Sequence, residues 1–195
     1  MGCNLALMGR LLGPENAADG NAKLLVGYKG DEGRRFGVVV GAGEGGLAVG
    51  ELWRRIQREF GDFEREGGAC FGDWEGESED APRVRAVACM NAFHPEEVER
   101  VAGTAVEGGF ADGLGDCDGV VYLTGAVRDE GLKSAREKGM RVVCVGHRVC
   151  EAWGIGFLAE KVREQWPGVD VRVIDEEETV VPKKRKGGGD LVEKK

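Results

Sequence analysis

The sequence predicts an α/β fold, a layered, mainly parallel sheet with helices on both faces. Between about residues 83 and 175, near-continuous apolar runs alternate with segments whose apolar residues recur at helical spacing. The apolar runs lack the polar alternation of a half-exposed strand, which indicates strands that are buried on both faces. Such strands are typical of parallel sheets whose right-handed crossovers place helices on either side.

The C-terminal segment contains the clearest elements. Helix 95–108 has acidic residues in its first turn, helix 130–139 is closed by Gly139, and helix 150–166 is stopped by Pro167. The corresponding sequences are PEEVERVAGTAVEG, EGLKSAREKG and CEAWGIGFLAEKVREQW. The predicted strands are RVRAVAC (83–89), GVVYLTG (119–125), MRVVCVG (140–146) and VDVRVID (169–175).

The N-terminal segment is predicted in less detail. NLALMGRLLG (4–13) indicates a short helix, KLLVGYKG (23–30) and RRFGVVVG (34–41) two strands, and LAVGELWRRIQREFG (47–61) an amphipathic helix. Residues 61–82 are acidic and glycine-rich and predict a long mobile loop.

From these patterns we expect four segments along the chain. They are an N-terminal segment with a helix, strands and an amphipathic helix (1–72), an acidic loop (73–82), an α/β segment (83–181) and a disordered basic tail (182–195).

Charge and cysteine content bear on partners and location. The net charge is −8, and the last thirteen residues hold six basic and two acidic groups, so residues 1–182 stand at −12. An acidic body repels phosphates, which disfavours binding to nucleic acid, and no apolar run is long enough for a membrane span. The six cysteines form no C-x-x-C pair and predict reduced thiols in a cytoplasmic protein. Lys183–Lys186 is an alternative signal for nuclear import.

Gly41, Gly43 and Gly46 match G-x-G-x-x-G between a predicted strand and a predicted helix, which is the pattern of a dinucleotide-binding turn. Glu44 would place a carboxylate where a pyrophosphate binds. The strand that should follow, with an acidic residue about 20 positions on, is replaced by the acidic loop. A structural turn is the favoured interpretation, and dinucleotide binding is kept as an alternative.

The second candidate site is CVGHRVCE, residues 144–151. His147 and Glu151 lie four apart at the predicted carboxyl edge of a strand, where open α/β sheets bind ligands, and imidazole with carboxylate suits Zn, Fe or Mn. One alternative is that Glu151 stabilises the helix N-terminus electrostatically while His147 is a loop residue. Another is a nucleophile pair of Cys144 or Cys150 with His147.

Residues 124–162 and the following VDVRVID resemble the C-terminal part of the Nif-three-like family. Members of that family share a TGE, a helix with A-x-E-x-G, a strand and then GH-x-x-x-E-x-x-G-[IL]-x-x-L-A. Weaker similarity extends to NLALMGRLLG and to RRFGVVVGAGEGG. The family consists of dinuclear-metal, often hexameric α/β proteins, also called type 2 GTP cyclohydrolase I-like.

The resemblance implies that His147 and Glu151 match two metal ligands. The family's His-His motif has no counterpart in this chain, and Ala126 stands where TGE has its acidic residue. We therefore expect a truncated or degenerate member with substoichiometric divalent metal, non-catalytic or a fragment of a longer member. If it is active, it is a metal-dependent hydrolase. The family also implies a homo-oligomer and leaves protein partners possible.

Overall fold

A computed structural model of the chain describes residues 2–18, 22–24, 36–72, 74 and 83–174. The acidic loop, apart from Trp74, and the basic tail with Lys183–Lys186 lie outside the described residues, as do parts of the two predicted N-terminal strands. The helices are α1 (Cys3–Leu12), α2 (Val49–Phe60), α3 (Pro95–Glu107), α4 (Asp129–Glu137) and α5 (His147–Gln165). The strands are β1 (Ala22–Leu24), β2 (Val38–Gly41), β3 (Leu47–Ala48), β4 (Ala69–Phe71), β5 (Arg83–Val84), β6 (Ala86–Cys89), β7 (Val120–Thr124) and β8 (Arg141–Cys144).

Six strands form one sheet in the order β1-β2-β6-β7-β8-β4. The three central strands, β6, β7 and β8, are parallel, whereas β1, β2 and β4 add to the sheet in antiparallel pairs. The predicted α/β fold with its mainly parallel sheet is confirmed for this centre, and the sheet as a whole is mixed. The strands β3 and β5 form a separate two-stranded pair.

Helices cover both faces of the sheet, as predicted. Because neighbouring strand residues point to opposite faces, Val38 and Val40 join one core cluster while Val39 joins the other. The first cluster packs under α1, α2 and the inner side of α5, and the second packs under α3 and α4. Val121 and Val143 extend the first cluster across the parallel strands. The parallel strands are thus buried on both faces.

Three expectations about individual elements are wrong. The helix expected from residue 150 begins at His147, because Gly146 makes the turn from β8. Residues 61–72 contain a short 3₁₀ turn (Phe63–Glu66) and the strand β4, and are not a continuous loop. The described part of the expected strand 169–175, residues 169–174, has no strand structure.

Candidate functional site

The turn between β8 and α5 positions the candidate metal ligands. After β8, the Val145 N–H still donates to the Thr124 carbonyl at 2.9 Å, so the chain stays on the sheet edge. Gly146 then adopts φ 86°, in the left-handed region that glycine occupies without steric cost. This sharp turn starts α5 at the carboxyl edge of the parallel strands and places His147 at its first position.

His147 and Glu151 lie on the same side of the first turns of α5, as their i, i+4 spacing requires. Nε2 of His147 is 3.1 Å from Oε1 of Glu151, and the two side chains are 61% and 60% exposed. The alternative in which Glu151 stabilises the helix N-terminus and His147 is a loop residue is wrong in two respects. His147 belongs to the helix and not to a loop, and the first turn of α5 has neither an acidic residue nor a side-chain cap.

The pair fits a metal ion in donor chemistry and spacing. Two donors that each bind one first-row metal at about 2.1 Å stand about 2.9–3.4 Å apart, for angles between octahedral and tetrahedral. The observed 3.1 Å falls in that range. The number of donors does not fit a complete site, because no group of three or more His, Cys, Asp or Glu side chains is positioned for a metal anywhere in the described part of the chain.

Neither neighbouring cysteine has the properties of an activated nucleophile. Cys144 is buried, and burial raises the pKa of the half-buried Cys150 thiol, with a smaller contribution from the charge of Glu151. A raised pKa keeps a thiol protonated at neutral pH, whereas the reactive form is the thiolate. The geometry gives no support to a Cys–His pair with His147.

At the neighbouring part of the sheet edge, the loops that follow β6 and β7 are joined by a hydrogen bond. Asn91 follows β6, and its Oδ1 accepts from the Gly125 N–H at 3.2 Å. A Cβ at Gly125 would stand only 2.5 Å from that oxygen, so a larger residue there would displace the Asn91 side chain from this hydrogen bond. Ala126 stands where the family has an acidic residue, and its methyl group has no atom that could bind a metal ion. Sequence analysis missed Asn91, although a polar residue directly after a buried strand is a usable signal.

The glycine pattern at residues 41–46 has a structural explanation. Gly43, Gly45 and Gly46 all have positive φ, and the Gly46 N–H closes a turn onto the Gly43 carbonyl at 3.1 Å. The Arg83 guanidinium donates to the Gly45 and Gly46 carbonyls, and a Cβ at Gly46 would stand 2.7 Å from the Val84 carbonyl oxygen. These contacts support the structural interpretation that the sequence favoured.

A polar network attaches α5 to the two N-terminal helices. Arg10 of α1 contacts Glu59 of α2 at 3.4 Å and Glu160 of α5 at 2.6 Å. The hydrogen bond from Arg10 to Glu160 raises the pKa of the guanidinium, which stays charged. The indole of Trp153 donates to Glu59 at 3.0 Å and lies under the Arg10 guanidinium. This network fixes the inner side of α5 and therefore the direction in which its first turn points.

Proteins similar to this chain in sequence and in fold are known. No family model matches the chain. Two curated proteins, the GTP cyclohydrolase 1 type 2 homologs of Salmonella typhimurium strain LT2 and Salmonella typhi, are each 35% identical to it over 82 residues. The match covers 42% of this chain and 33% of each relative, so the matched region spans about a third of their length.

Two solved structures share the fold. Protein ybgI, described as of unknown function, superposes with a TM-score of 0.53 at 21% identity, over 89% of this chain and 56% of its own. Reduced HcgD from Methanocaldococcus jannaschii superposes with a TM-score of 0.51 at 17% identity, over 81% and 50%. At these identities the likeness concerns the fold alone.

The fold is that of an α/β protein with parallel strands at the centre of its sheet. Together with the curated matches, it confirms the resemblance to the Nif-three-like, type 2 GTP cyclohydrolase I-like family. Within the described residues, no helix has the length and apolar content to cross a membrane.

Proposed function

We propose that this protein is a Nif-three-like metal-binding protein that retains part of a dinuclear site and does not catalyse a reaction on its own. His147 and Glu151 are the proposed ligands. The observation that carries the proposal is their 3.1 Å separation on the first turns of α5, at the sheet edge where α/β proteins bind ligands. Solvent would fill the remaining coordination positions, since both side chains are more than half exposed.

The proposed ligand set favours a divalent first-row metal, Zn, Fe or Mn, held weakly. Imidazole and carboxylate suit these ions, but structural zinc sites use four protein ligands and catalytic sites three. The bound metal would supply a Lewis acid. A neutral imidazole is required for coordination.

The test is metal titration of the wild type against His147→Ala. His94→Ala is a matched control, because His94 is the only other histidine and lies at the start of α3. We expect less than one Zn or Mn per chain after desalting, at least a tenfold loss of affinity in His147→Ala, and no change in His94→Ala. Two tightly held ions per chain, or equal binding by wild type and His147→Ala, would contradict the proposal.

A second candidate is a metal-dependent hydrolase, which the name of the two Salmonella relatives favours. On that hypothesis Glu151 and His147 would hold the metal beside a heterocycle such as that of GTP. Catalytic zinc sites use three protein ligands, whereas His147 and Glu151 supply two and Ala126 supplies none, so the residues present favour the non-catalytic proposal. Incubation with GTP at saturating Zn or Mn separates the two, because product formation that Glu151→Ala abolishes would establish the hydrolase.

We propose, further, that the protein is a cytoplasmic homo-oligomer, with protein partners possible and no nucleic acid or membrane partner. Resemblance to a family that forms dimers and hexameric rings supports the self-association. Nuclear import through Lys183–Lys186 is the alternative location. A reporter fused to residues 180–195 would enter the nucleus only on that alternative, and the same fusion with four alanines would not.

A further inference from the structure

The first turn of α5 has little of the local support that stabilises the start of a helix. Gly146 is its N-cap residue, so no side chain caps the helix, and no acidic residue lies in its first turn. By contrast, α3 begins with Pro95 and has Glu96 and Glu97 in its first turn. Glu97 also accepts a hydrogen bond from the backbone N–H of His94 at 3.0 Å. The start of α5 therefore depends on other contacts.

Two backbone hydrogen bonds define the first turn of α5. The first N–H groups of an α-helix have no carbonyl of the same helix to bond. In α5 the Cys150 N–H donates to the Gly146 carbonyl at 3.1 Å, and the helical pattern continues from the Glu151 N–H to the His147 carbonyl. The exchange of the Cys150 and Glu151 amide hydrogens with solvent therefore measures how often this turn opens.

His147 and Glu151 stand at the two ends of the same turn. Their Nε2 and Oε1 atoms are 3.1 Å apart, which suits two donors on one first-row metal ion. In the helix the two residues are about 6 Å apart along the axis, whereas an extended chain separates them by up to about 13 Å. The turn therefore cannot unwind while both side chains hold the same ion.

The first turn of α5 also contacts the neighbouring loops of the sheet edge. Cys150 lies on its inner side and packs against the core cluster beneath α1 and α2. A Cβ at Gly125 would stand 3.3 Å from the Cys150 Cβ, and the Gly125 N–H donates to Asn91. The loop after β7 thus lies against the start of α5 and is bonded to the loop after β6. Order in this turn therefore contributes to order along the carboxyl edge of the parallel strands.

We infer that His147 and Glu151, when they share a divalent metal ion, clamp the first turn of α5, so that the order of this sheet edge depends on metal. The inference rests on the proposed metal binding and assigns a conformational role to it. It requires only two protein donors, fewer than a catalytic site uses. A positive ion at a helix N-terminus is electrostatically unfavourable, but the Glu151 carboxylate offsets part of that charge.

The expected protection follows from the affinity of the two ligands for the ion. Because opening of the turn releases the ion, the Cys150 and Glu151 amide hydrogens should exchange more slowly by the factor 1 + [M]/Kd. At a free metal concentration of ten times Kd, this factor is about eleven. The Trp166 N–H donates to the Val162 carbonyl at 2.9 Å at the other end of α5. Its exchange should not change, which excludes a general effect of the ion on the helix.

The first experiment is hydrogen–deuterium exchange of the full chain in EDTA and at several free Zn concentrations, with bound Zn measured on the same samples by equilibrium dialysis. Exchange at Cys150 and Glu151 should slow in proportion to 1 + [Zn]/Kd, while exchange at Trp166 stays constant. Absence of bound Zn would overturn both the metal proposal and this inference. Bound Zn without slower exchange at Cys150 and Glu151 would overturn this inference alone.

The second experiment moves the carboxylate away from His147. Ala152 is exposed and lies about 100° around the helix from Glu151. The double variant Glu151→Gln/Ala152→Glu therefore keeps the net charge but directs the carboxylate away from the imidazole, and it should lose the Zn-dependent protection. Ala152→Glu alone is the matched control, because it keeps both ligands and should stay protected. Equal protection of the double variant and the wild type would refute a bridge between residues 147 and 151.

Discussion

α3 and α5 are two helices on opposite faces of the same sheet, and they differ in how completely the chain covers them. α3 keeps its apolar residues on one side, where Val98, Val101, Ala102 and Ala105 are fully buried. α5 is longer, yet Ala159 is its only buried residue. Its first two turns also present His147 and Glu151 to solvent.

Folding of the single chain explains the apolar residues of α3, but it does not explain those on the outer side of α5. Every apolar residue that faces the sheet from α3 contributes to the core, and the polar side needs no further partner. The outer side of α5 contributes almost nothing to the core, yet Ile155 and Leu158 on it are 54% and 55% exposed. Such a surface is typical of a contact made after folding.

The largest expected effect is that of a charge placed under α3. Val101→Asp would bury a carboxylate without a partner in a fully covered site and should destabilise the protein by about 4 kcal/mol or more. Ile155→Asp, on the exposed outer side of α5, should change the unfolding free energy of the single chain by no more than about 0.5 kcal/mol. Urea unfolding at submicromolar concentration measures both, and similar losses would remove the distinction between the two helices.

An intermediate effect is expected from Cys89, beneath the inner side of α5. Burial raises its pKa to about 12, so the folded thiol stays protonated after the unfolded one ionises. Stability from this group is complete below the unfolded pKa and falls as pH rises towards the folded pKa. At pH 10.5 the wild type should therefore have lost about 2–3 kcal/mol of unfolding free energy through this thiol, because the unfolded thiol is then about two pH units above its pKa.

Cys89→Ala should lower the stability at pH 7 but flatten its decline between pH 9 and pH 10.5. Cys3→Ala is the control, because Cys3 is only partly buried at the start of α1. Chemical unfolding at the two pH values decides the matter. Equal slopes for Cys89→Ala and wild type would show that this thiol is not protected by the packing around α5.

The smallest effect on unfolding free energy is expected from a substitution on the outer side of α2. This side carries charged residues, whereas the outer side of α5 carries exposed apolar ones. Glu51 contacts Arg55 at 2.7 Å and Arg54 at 2.6 Å, and the hydrogen bond to Arg55 lowers its pKa. This stabilisation is present above the unfolded pKa and is lost as pH falls through the lowered folded value. Glu51→Gln should cost a few tenths of a kcal/mol at pH 7 and nothing at pH 2. A cost that persists at pH 2 would assign the effect to packing.

Much of the fold was predictable because its central elements have strong local patterns. α3 ends one residue before its predicted end, and β7 and β8 lie inside the predicted runs of apolar residues. β4 was missed because Ala69–Phe71 is three residues long between glycines, too short to show a period. Its pairing with β8 is a long-range contact, which no local pattern encodes.

The candidate site was predictable only in part, for a different physical reason. The spacing of His147 and Glu151 implied that they share a helix face, and the 3.1 Å contact agrees with that. The start of α5 was misplaced because apolar periodicity begins at Cys150, whereas the turn depends on the positive φ of Gly146. Likewise, the link between Asn91 and Gly125 joins two loops 34 residues apart.

The order of strands in the sheet has a consequence for synthesis on the ribosome. Both neighbours that flank the parallel strands, β2 beside β6 and β4 beside β8, precede them in the chain. These early strands leave the ribosome before β6, β7 and β8 exist, so until then β4 has no partner and β2 can pair only with β1. Conversely, residues 83–174 without the preceding residues would expose two unpaired strand edges and tend to aggregate. The nascent chain is thus most vulnerable shortly before β8 emerges, when a holdase chaperone would be of most use.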